Sequence, residues 1–231
     1  MRIDIITLFP EMCDSIMGES IVARARKRGF LQICTHQLRD FALDKHKKVD
    51  DTPFGGGKGM LLKAEPIAVA IDSITEHIGG KPHIIYMSPK GKVLNQEKVK
   101  ELSALENICI ICGHYEGIDE RIINKYVDEQ ISLGDFVLTG GEMPALVLTD
   151  AVSRMINGVL SEDVCFEEES HFSGLLEHPQ YTKPSVWRGL EVPKVLISGD
   201  HGKIEKWKKD MAISETKKYR KDLYDKAKSN L

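Results

Sequence analysis

Gly55-Gly-Gly-Lys-Gly59 sets a lysine among four glycines, a composition shared by loops that cradle phosphates. The triphosphate-binding loop needs a glycine where this chain has Thr52, and a Ser or Thr where it has Gly59. The dinucleotide pattern fails as well, because Met60 stands where its last glycine belongs. The histidines include no H-E-x-x-H, and there is no G-x-S-x-G elbow. Glu167, Glu168 and Glu169 form a row of carboxylates of the kind that glycoside hydrolysis uses in pairs, but nothing else suggests a sugar cleft. Taken alone, that row is an ordinary solvated acidic run. Asp150 and Arg154 are spaced i,i+4, which by itself describes a surface ion pair. Cys109 and Cys112 make a C-x-x-C inside the apolar run Asn107–Cys112. Strand side chains alternate faces, so positions three apart diverge, and these two are core cysteines rather than a redox or zinc pair.

A different signal comes from three glycine-containing segments, each placed directly after an apolar run. Ser88-Pro-Lys-Gly91 follows a strand over His83 to Met87. Gly113-His-Tyr-Glu-Gly117 follows a strand over Ile108 to Cys112, and Gly134-Asp-Phe-Val-Leu-Thr-Gly-Gly141 follows a short strand from Gln130 to Leu133. Helical patterns lie between them, over Gln96 to Leu105 and Asp119 to Val127. Alternating strands and helices predict a parallel sheet, and such sheets bind ligands beyond the carboxyl ends of their strands. The three loops therefore share one edge, where glycines let the backbone approach a flat small molecule.

The remaining elements frame that edge. Ile3 to Phe9 reads as a first strand closed by Pro10, followed by a helix from Ser20 that stops at Gly29, a strand over Leu31 to His36, and a helix over Pro66 to His77. The polar, then glycine-rich stretch from Asp44 to Met60 reads as a long loop, and loops of that length in compact domains tend to be functional. Pro144 suits the first position of the next helix, with Ala145, Leu148, Val152 and Met155 on its apolar stripe. Residues 1–160 thus predict an α/β domain with flanking helices. Residues 161–178 read as an acidic linker, and 179–231 as a smaller, mainly helical unit.

The chain has 231 residues, 42% hydrophobic and 29% charged, with a net charge of −3. That is globular composition with no global basic excess. From Lys203 onward, however, ten Lys or Arg face five Asp or Glu. A basic unit inside a near-neutral chain fits a solvated helical face and fits equally a phosphate-contacting module. Five scattered cysteines argue for a reducing compartment. No apolar stretch is long enough to span a membrane, and Asp4, Pro10 and Glu11 interrupt any leader-like run, so a cytoplasmic protein is expected.

Five blocks, in order, resemble the bacterial tRNA (guanine-N1)-methyltransferase family of the SPOUT superfamily. They are Pro53-Phe-Gly-Gly-Gly-Lys-Gly-Met60, Tyr86-Met-Ser-Pro-Lys-Gly91, Cys112-Gly-His-Tyr-Glu-Gly-Ile-Asp-Glu-Arg121, Ser132-Leu-Gly-Asp-Phe-Val-Leu-Thr-Gly-Gly-Glu-Met-Pro144 and Gly174-Leu-Leu-Glu-His-Pro-Gln-Tyr-Thr-Lys-Pro184. The resemblance implies a deep trefoil knot at the carboxyl edge of the sheet, a homodimer with a shared active site, and methylation of N1 of the guanine at position 37 of tRNA, beside the anticodon. It implies S-adenosyl-L-methionine held by Tyr86, Met87, Ser88 and Pro89, by Gly113, Tyr115, Glu116 and Gly117, and by Ser132, Leu133, Gly134, Asp135, Phe136, Val137, Leu138, Gly140, Gly141 and Pro144.

By the same resemblance, Glu169 is the base that takes the N1 proton, Arg154 its electrostatic partner and Glu116 a supporting group. Asp50, Gly59 and Glu177 contact tRNA, the carboxyl-terminal unit binds it, and magnesium assists catalysis. Three positions depart from the family: aspartate is usual where this chain has Glu169 and Glu177, and His171 stands where phenylalanine is usual. Each carboxylate gains one methylene, which alters reach and not chemistry. The competing reading is an RNA-binding protein that keeps a relic cofactor fold. The retained Arg154 and the carboxylate at 169 speak against it, since a binder needs neither.

Overall fold

The structure is a computed structural model that describes residues 1–160, 169–172 and 174–228. Half of the expected linker over 161–178 falls outside the described residues, Cys165, Glu167 and Glu168 included. The chain forms two compact units, 1–161 and 162–231.

The first unit is built on five parallel strands: β1 (Arg2–Thr7), β2 (Gln32–Gln37), β5 (His83–Val93), β6 (Asn107–Ile111) and β7 (Glu129–Ser132). They lie in the order β2-β1-β6-β5-β7. A short antiparallel pair, β3 (Asp50–Asp51) and β4 (Leu61–Leu62), stands apart from this sheet. Helices α1 (Pro10–Met17), α2 (Ser20–Lys27), α4 (Gln96–Ser103) and α6 (Glu142–Ser153) send Cys13, Met17, Ala25, Leu102, Ala145 and Val152 into the core on one face. Helices α3 (Ala64–Ile78) and α5 (Glu120–Tyr126) cover the other with Ile67, Ile71, Ile74 and Ile122. Both faces being buried, the strands are nearly continuous apolar runs whose side chains go alternately to the two cores. Ile108, Ile110 and Cys112 join one cluster, while Cys109 and Ile111 join the other. The C-x-x-C sulfurs therefore lie on opposite sides of the sheet. Burial pushes the thiols of Cys109 and Cys112 far above their ordinary range.

Four elements differ from the sequence expectation. Pro10 opens α1 instead of merely closing a strand, because its missing N–H belongs to a turn whose amides have no helical partner anyway. The same tolerance lets α6 begin at Glu142, two residues before Pro144. Ser88-Pro-Lys-Gly91, expected as a loop, is the far part of β5, whose register against β7 shifts between Met87 and Lys92. Pairing with β6 ends at Tyr86, so Pro89 removes no ladder bond there. Finally, the long loop from Asp44 to Met60 contains β3.

The second unit, as far as it is described, holds the two-stranded ribbon β8 (Val186–Trp187) and β9 (Leu190–Glu191), then α7 (His201–Tyr219) and α8 (Lys221–Ala227). Asp200 caps α7 by accepting from the Lys203 amide at 3.1 Å. Thr216, fully buried, accepts from the Leu176 amide at 2.8 Å and so ties the segment before the ribbon to the helix.

One ion cluster sits inside the sheet of the first unit. Asp4 is fully buried on β1, accepts from Arg2 Nε and Nη2 at 2.8 Å each, and meets His36 Nε2 at 2.7 Å. Burial is the largest influence on its carboxyl and pushes the pKa up. The hydrogen bonds and charges of His36 and Arg2 together outweigh it and hold the group below the usual carboxylate value. A carboxyl lowered on folding gives stability that is complete above its unfolded pKa, about 3.9, and is lost as pH falls through the folded value. Asp4→Asn should therefore destabilise the protein by about 3 kcal/mol near neutrality. In urea unfolding, the gap from the parent should narrow below about pH 4. A gap that stays constant into acid would mean the cluster contributes nothing through charge.

Candidate active site

Three strand ends and the loops beyond them enclose a cleft of about 220 Å³, room for a small molecule rather than a macromolecule. Its walls are Tyr86 to Pro89 from β5, Gly113 to Gly117 after β6, Ile131 to Leu133 from β7, and Phe136 to Gly141 with Pro144 from the loop that leads into α6. Of the residues assigned to cofactor binding, only Gly134 and Asp135 are not among those lining it. His114, Ile131 and Thr139, to which the sequence assigns no role, do line it. His114 and Thr139 sit between residues that it does assign, and Ile131 directly precedes one, so continuity of the chain is the signal available for them.

Close backbone contact holds the cleft open. The Gly141 amide donates to the Gly113 carbonyl at 2.7 Å, and His114 bridges Gly140 in antiparallel fashion. A Cβ on Gly141 would lie 2.7 Å from Cys112 Cα and from the Gly113 nitrogen, both fixed backbone atoms. A Cβ on Gly113 would instead meet the end of a side chain, Tyr86 Oη at 2.8 Å. Tyr86 is itself buried, which pushes its phenol above the ordinary value. Below the α6 turn, Glu142 is buried and accepts from Thr7 Oγ1 at 2.8 Å, so the end of β1 is tied to the helix that closes the cleft. That carboxylate adds to burial in raising the Cys13 thiol to about 11. His114 packs edge-on between Phe9, at 5.4 Å, and Tyr115, at 4.7 Å, and its Nδ1 is buried with no hydrogen-bond partner. A buried polar atom left unpaired beside a cleft is what an absent ligand or water satisfies.

The rim connects to the long loop. The Glu116 amide donates to the Met60 carbonyl at 3.1 Å, Leu62 to Gly117 at 3.0 Å, and Asp119 to Leu62 at 3.0 Å. Gly59, with φ +98°, lies directly against the Glu116 side chain, where a Cβ would fall 2.5 Å from Cγ. Two residues assigned separate roles are thus neighbours. Asp50 is half-buried in β3.

Arg154 is not brought to this cleft. It caps the carboxyl end of α6, whose amino end carries Pro144 into the cleft, and ten helical residues span about 15 Å. Glu169 and Glu177 belong to the second unit, where Glu177 accepts from Gln180 Nε2 at 3.2 Å and its amide donates to Ser170 Oγ at 3.0 Å. Among the described residues no group of three His, Cys, Asp or Glu side chains is placed to hold a metal.

Comparison with known proteins places this geometry. The family described as "tRNA (Guanine-1)-methyltransferase TrmD" matches residues 1–226. A tRNA (guanine-N(1)-)-methyltransferase of Ruminiclostridium cellulolyticum is 54% identical over 226 residues, 98% of this chain and 97% of that protein. Its counterpart in Clostridioides difficile is 51% identical over 228 residues, 98% and 99% of the two chains. The crystal structure of the tRNA (m1G37) methyltransferase of Aquifex aeolicus superposes with a TM-score of 0.79 at 44% identity, covering 98% of this chain and 96% of that one.

The two glycine contacts predict different outcomes. Gly141→Ala and Gly113→Ala should each lower the thermal midpoint, by roughly 4–8 °C for a loss of about 2 kcal/mol in a unit of this size. Adding Tyr86→Phe should restore part of the Gly113→Ala loss, since it removes the atom in the way, and none of the Gly141→Ala loss. Equal rescue of both would show that Tyr86 is not what Gly113 makes room for.

Proposed function

Because the chain belongs to the tRNA (guanine-1)-methyltransferase family, and is thereby a tRNA guanine-N1 methyltransferase, we propose that it methylates the guanine at position 37, next to the anticodon, with S-adenosyl-L-methionine bound in the strand-end cleft. The observation that carries this reading is the convergence of three glycine loops on one cleft whose walls leave no space for a Cβ at Gly113 or Gly141. The unpaired His114 Nδ1 adds a polar atom in want of a partner. We take the same loops to form the trefoil knot and the second unit to be the tRNA-binding domain. A cytoplasmic setting follows from that substrate, and among the described residues no helix is long and apolar enough to cross a membrane.

When bound, S-adenosylmethionine supplies an electrophilic methyl group on a positively charged sulfur. The cleft fixes that methyl with backbone groups already in position, which is where most of the gain in an in-line displacement lies. Guanine N1 carries a hydrogen and is a poor nucleophile until the proton leaves. Glu169 accepts that proton, which frees the N1 lone pair for the methyl group that the bound cofactor would supply. Arg154 offsets the charge that develops on O6, and Glu116, at the cleft rim, supports the base. Reaching a purine in this way requires it to leave its stack. Magnesium, which the family resemblance implies, would help to offset the charge on O6; among the described residues no group of three His, Cys, Asp or Glu side chains marks a place for it.

The active site is shared within a homodimer. Arg154 lies about 15 Å along α6 from its own cleft, so the cleft it serves is a partner's. A surface for that partner is present: α1 packs on α6, and Met12, Ile16, Met143 and Val147 remain exposed on the two helices beside Phe9.

Two measurements test the proposal. Incubating unmodified tRNA with labelled S-adenosylmethionine should place the label on N1 of guanine 37, and a transcript with adenine there should take none. Glu169→Gln should cut the single-turnover rate by about a hundredfold or more while leaving S-adenosylmethionine affinity unchanged, and Glu169→Asp should keep substantial activity. Methylation by Glu169→Gln at the parent rate would mean that another carboxylate is the base.

A further inference from the structure

We infer that His114 is a positioning residue for the methyl donor: its Nδ1 proton faces the buried carboxylate of Glu142 across Gly140, and the pair holds the Gly140–Gly141 wall of the cleft in place. The inference rests on reading the strand-end cleft as the seat of S-adenosylmethionine. Neither side chain has a part in the methyl transfer described above.

Glu142 is a buried charge that the mechanism leaves unused. It is 4% exposed, and its Oε1 accepts from Thr7 Oγ1 at 2.8 Å. Its place in the first turn of α6 adds the favourable end of the helix dipole. A carboxylate taken out of water needs further donors, and Oε2 can still accept them. Cys13 and Cys112 feel its charge but offer no positive charge in return, because burial first and the carboxylate second push both thiols up and keep them neutral. Oε2 instead borders Gly140. A Cβ on Gly140 would fall on Glu142 Oε2 and lie 2.9 Å from His114 Nδ1. The two atoms thus flank a single point, the place of the side chain that Gly140 lacks. Gly140 does not adopt a positive φ, so what glycine supplies there is this space and not a backbone angle. His114 Nδ1 is buried and has no hydrogen-bond partner among the described residues. A carboxylate opposite it settles the tautomer with the proton on Nδ1, and attraction across so short a gap is stronger away from water.

The pair acts on the wall of the cleft because of where its two members stand. The backbone already bridges His114 to Gly140, and the Gly141 amide donates to the Gly113 carbonyl at 2.7 Å. The side chains add a second tie alongside the first. That tie closes a ring: Thr7 Oγ1, the donor to Glu142, accepts from the Phe9 amide at 2.9 Å, and Phe9 packs edge-on against the His114 imidazole. The end of β1, the end of β6 and the start of α6 are joined around Gly140.

The test separates the ring of His114 from its nitrogen. His114→Phe keeps a ring between Phe9 and Tyr115 and removes the proton, whereas His114→Asn removes the ring and sets an amide nitrogen where Nδ1 stands. Calorimetry with S-adenosylmethionine should show roughly tenfold weaker binding for His114→Phe and an affinity within about threefold of the parent for His114→Asn. Thermal midpoints should fall in the opposite order, with His114→Asn the less stable. Glu142→Gln, which still accepts from Thr7, should also weaken binding roughly tenfold, and the double variant His114→Phe, Glu142→Gln should bind no more weakly than either single one. In methylation assays the loss in His114→Phe should fall on the KM for the donor more than on kcat. Affinity that follows the ring, with His114→Phe at the parent level or His114→Asn no better than His114→Phe, overturns the inference, and so do losses that multiply in the double variant. A parent protein that binds no S-adenosylmethionine would instead bring down the reading of the cleft itself.

Discussion

The cleft depends on one close approach, that of Gly141 to the backbone of Cys112 and Gly113. The 2.7 Å hydrogen bond from the Gly141 amide to the Gly113 carbonyl draws the start of α6 against the end of β6, where no side-chain atom fits between them. Everything that lines the cleft is attached to one of these two segments or to a strand beside them. The approach is held from below by buried Glu142, which takes the Thr7 hydroxyl and so fixes the end of β1 to the same helix turn. It is held from the side by Tyr86, whose hydroxyl lies where a Cβ of Gly113 would point. Loosening any one of these contacts moves backbone, and backbone is what the site is made of.

That choice of material has a chemical logic. A flexible side chain loses rotamer entropy when it grips a ligand, whereas an amide or carbonyl set by the fold has lost it already. For a displacement in which alignment counts for most, donors that do not reorganise are worth more than donors that are merely strong. Side chains with charge stand away from the cleft floor. Glu116 is at the rim, Arg154 is at the far end of α6, and Glu169 is in the other unit. In the proposed mechanism, holding the methyl group and handling the proton are thereby given to different parts of the protein.

The sheet is legible in the sequence because its parallel strands are buried on both faces and read as unbroken apolar runs. The strand-end rule then brings the three glycine loops to one edge. Hidden from sequence are the places where a local rule meets a tertiary exception. Pro10 reads as the end of a strand, yet it lies in the first turn of α1, where a missing amide hydrogen carries no penalty, and α6 begins two residues before the Pro144 expected at its first position. Ser88-Pro-Lys-Gly91 has loop composition but continues β5, because β6 has ended and the shifted register against β7 accommodates it. His114 carries no signal of its own beside Gly113, since nothing in a sequence tells that a ring nitrogen will be buried without a partner. The separation of Arg154 from its own cleft is of the opposite kind: it follows from helix length alone, and any reading that makes 144 to 154 helical already contains it.

The loop from Asp44 to Met60 shows how a segment without regular structure can still be positioned. Its glycines leave Gly59 free to adopt φ +98° and lie flat against Glu116, and two backbone bonds from β4 to the 117–119 segment fix its exit. The same short ladder separates the cleft from a second cavity, beside Phe54. The ladder joins the two walls without sharing a residue between them, because Glu116 and Gly117 line the cleft while Asp119 and Arg121 line the cavity. Two backbone hydrogen bonds thus hold a segment that has no regular structure of its own against the rim of the cleft.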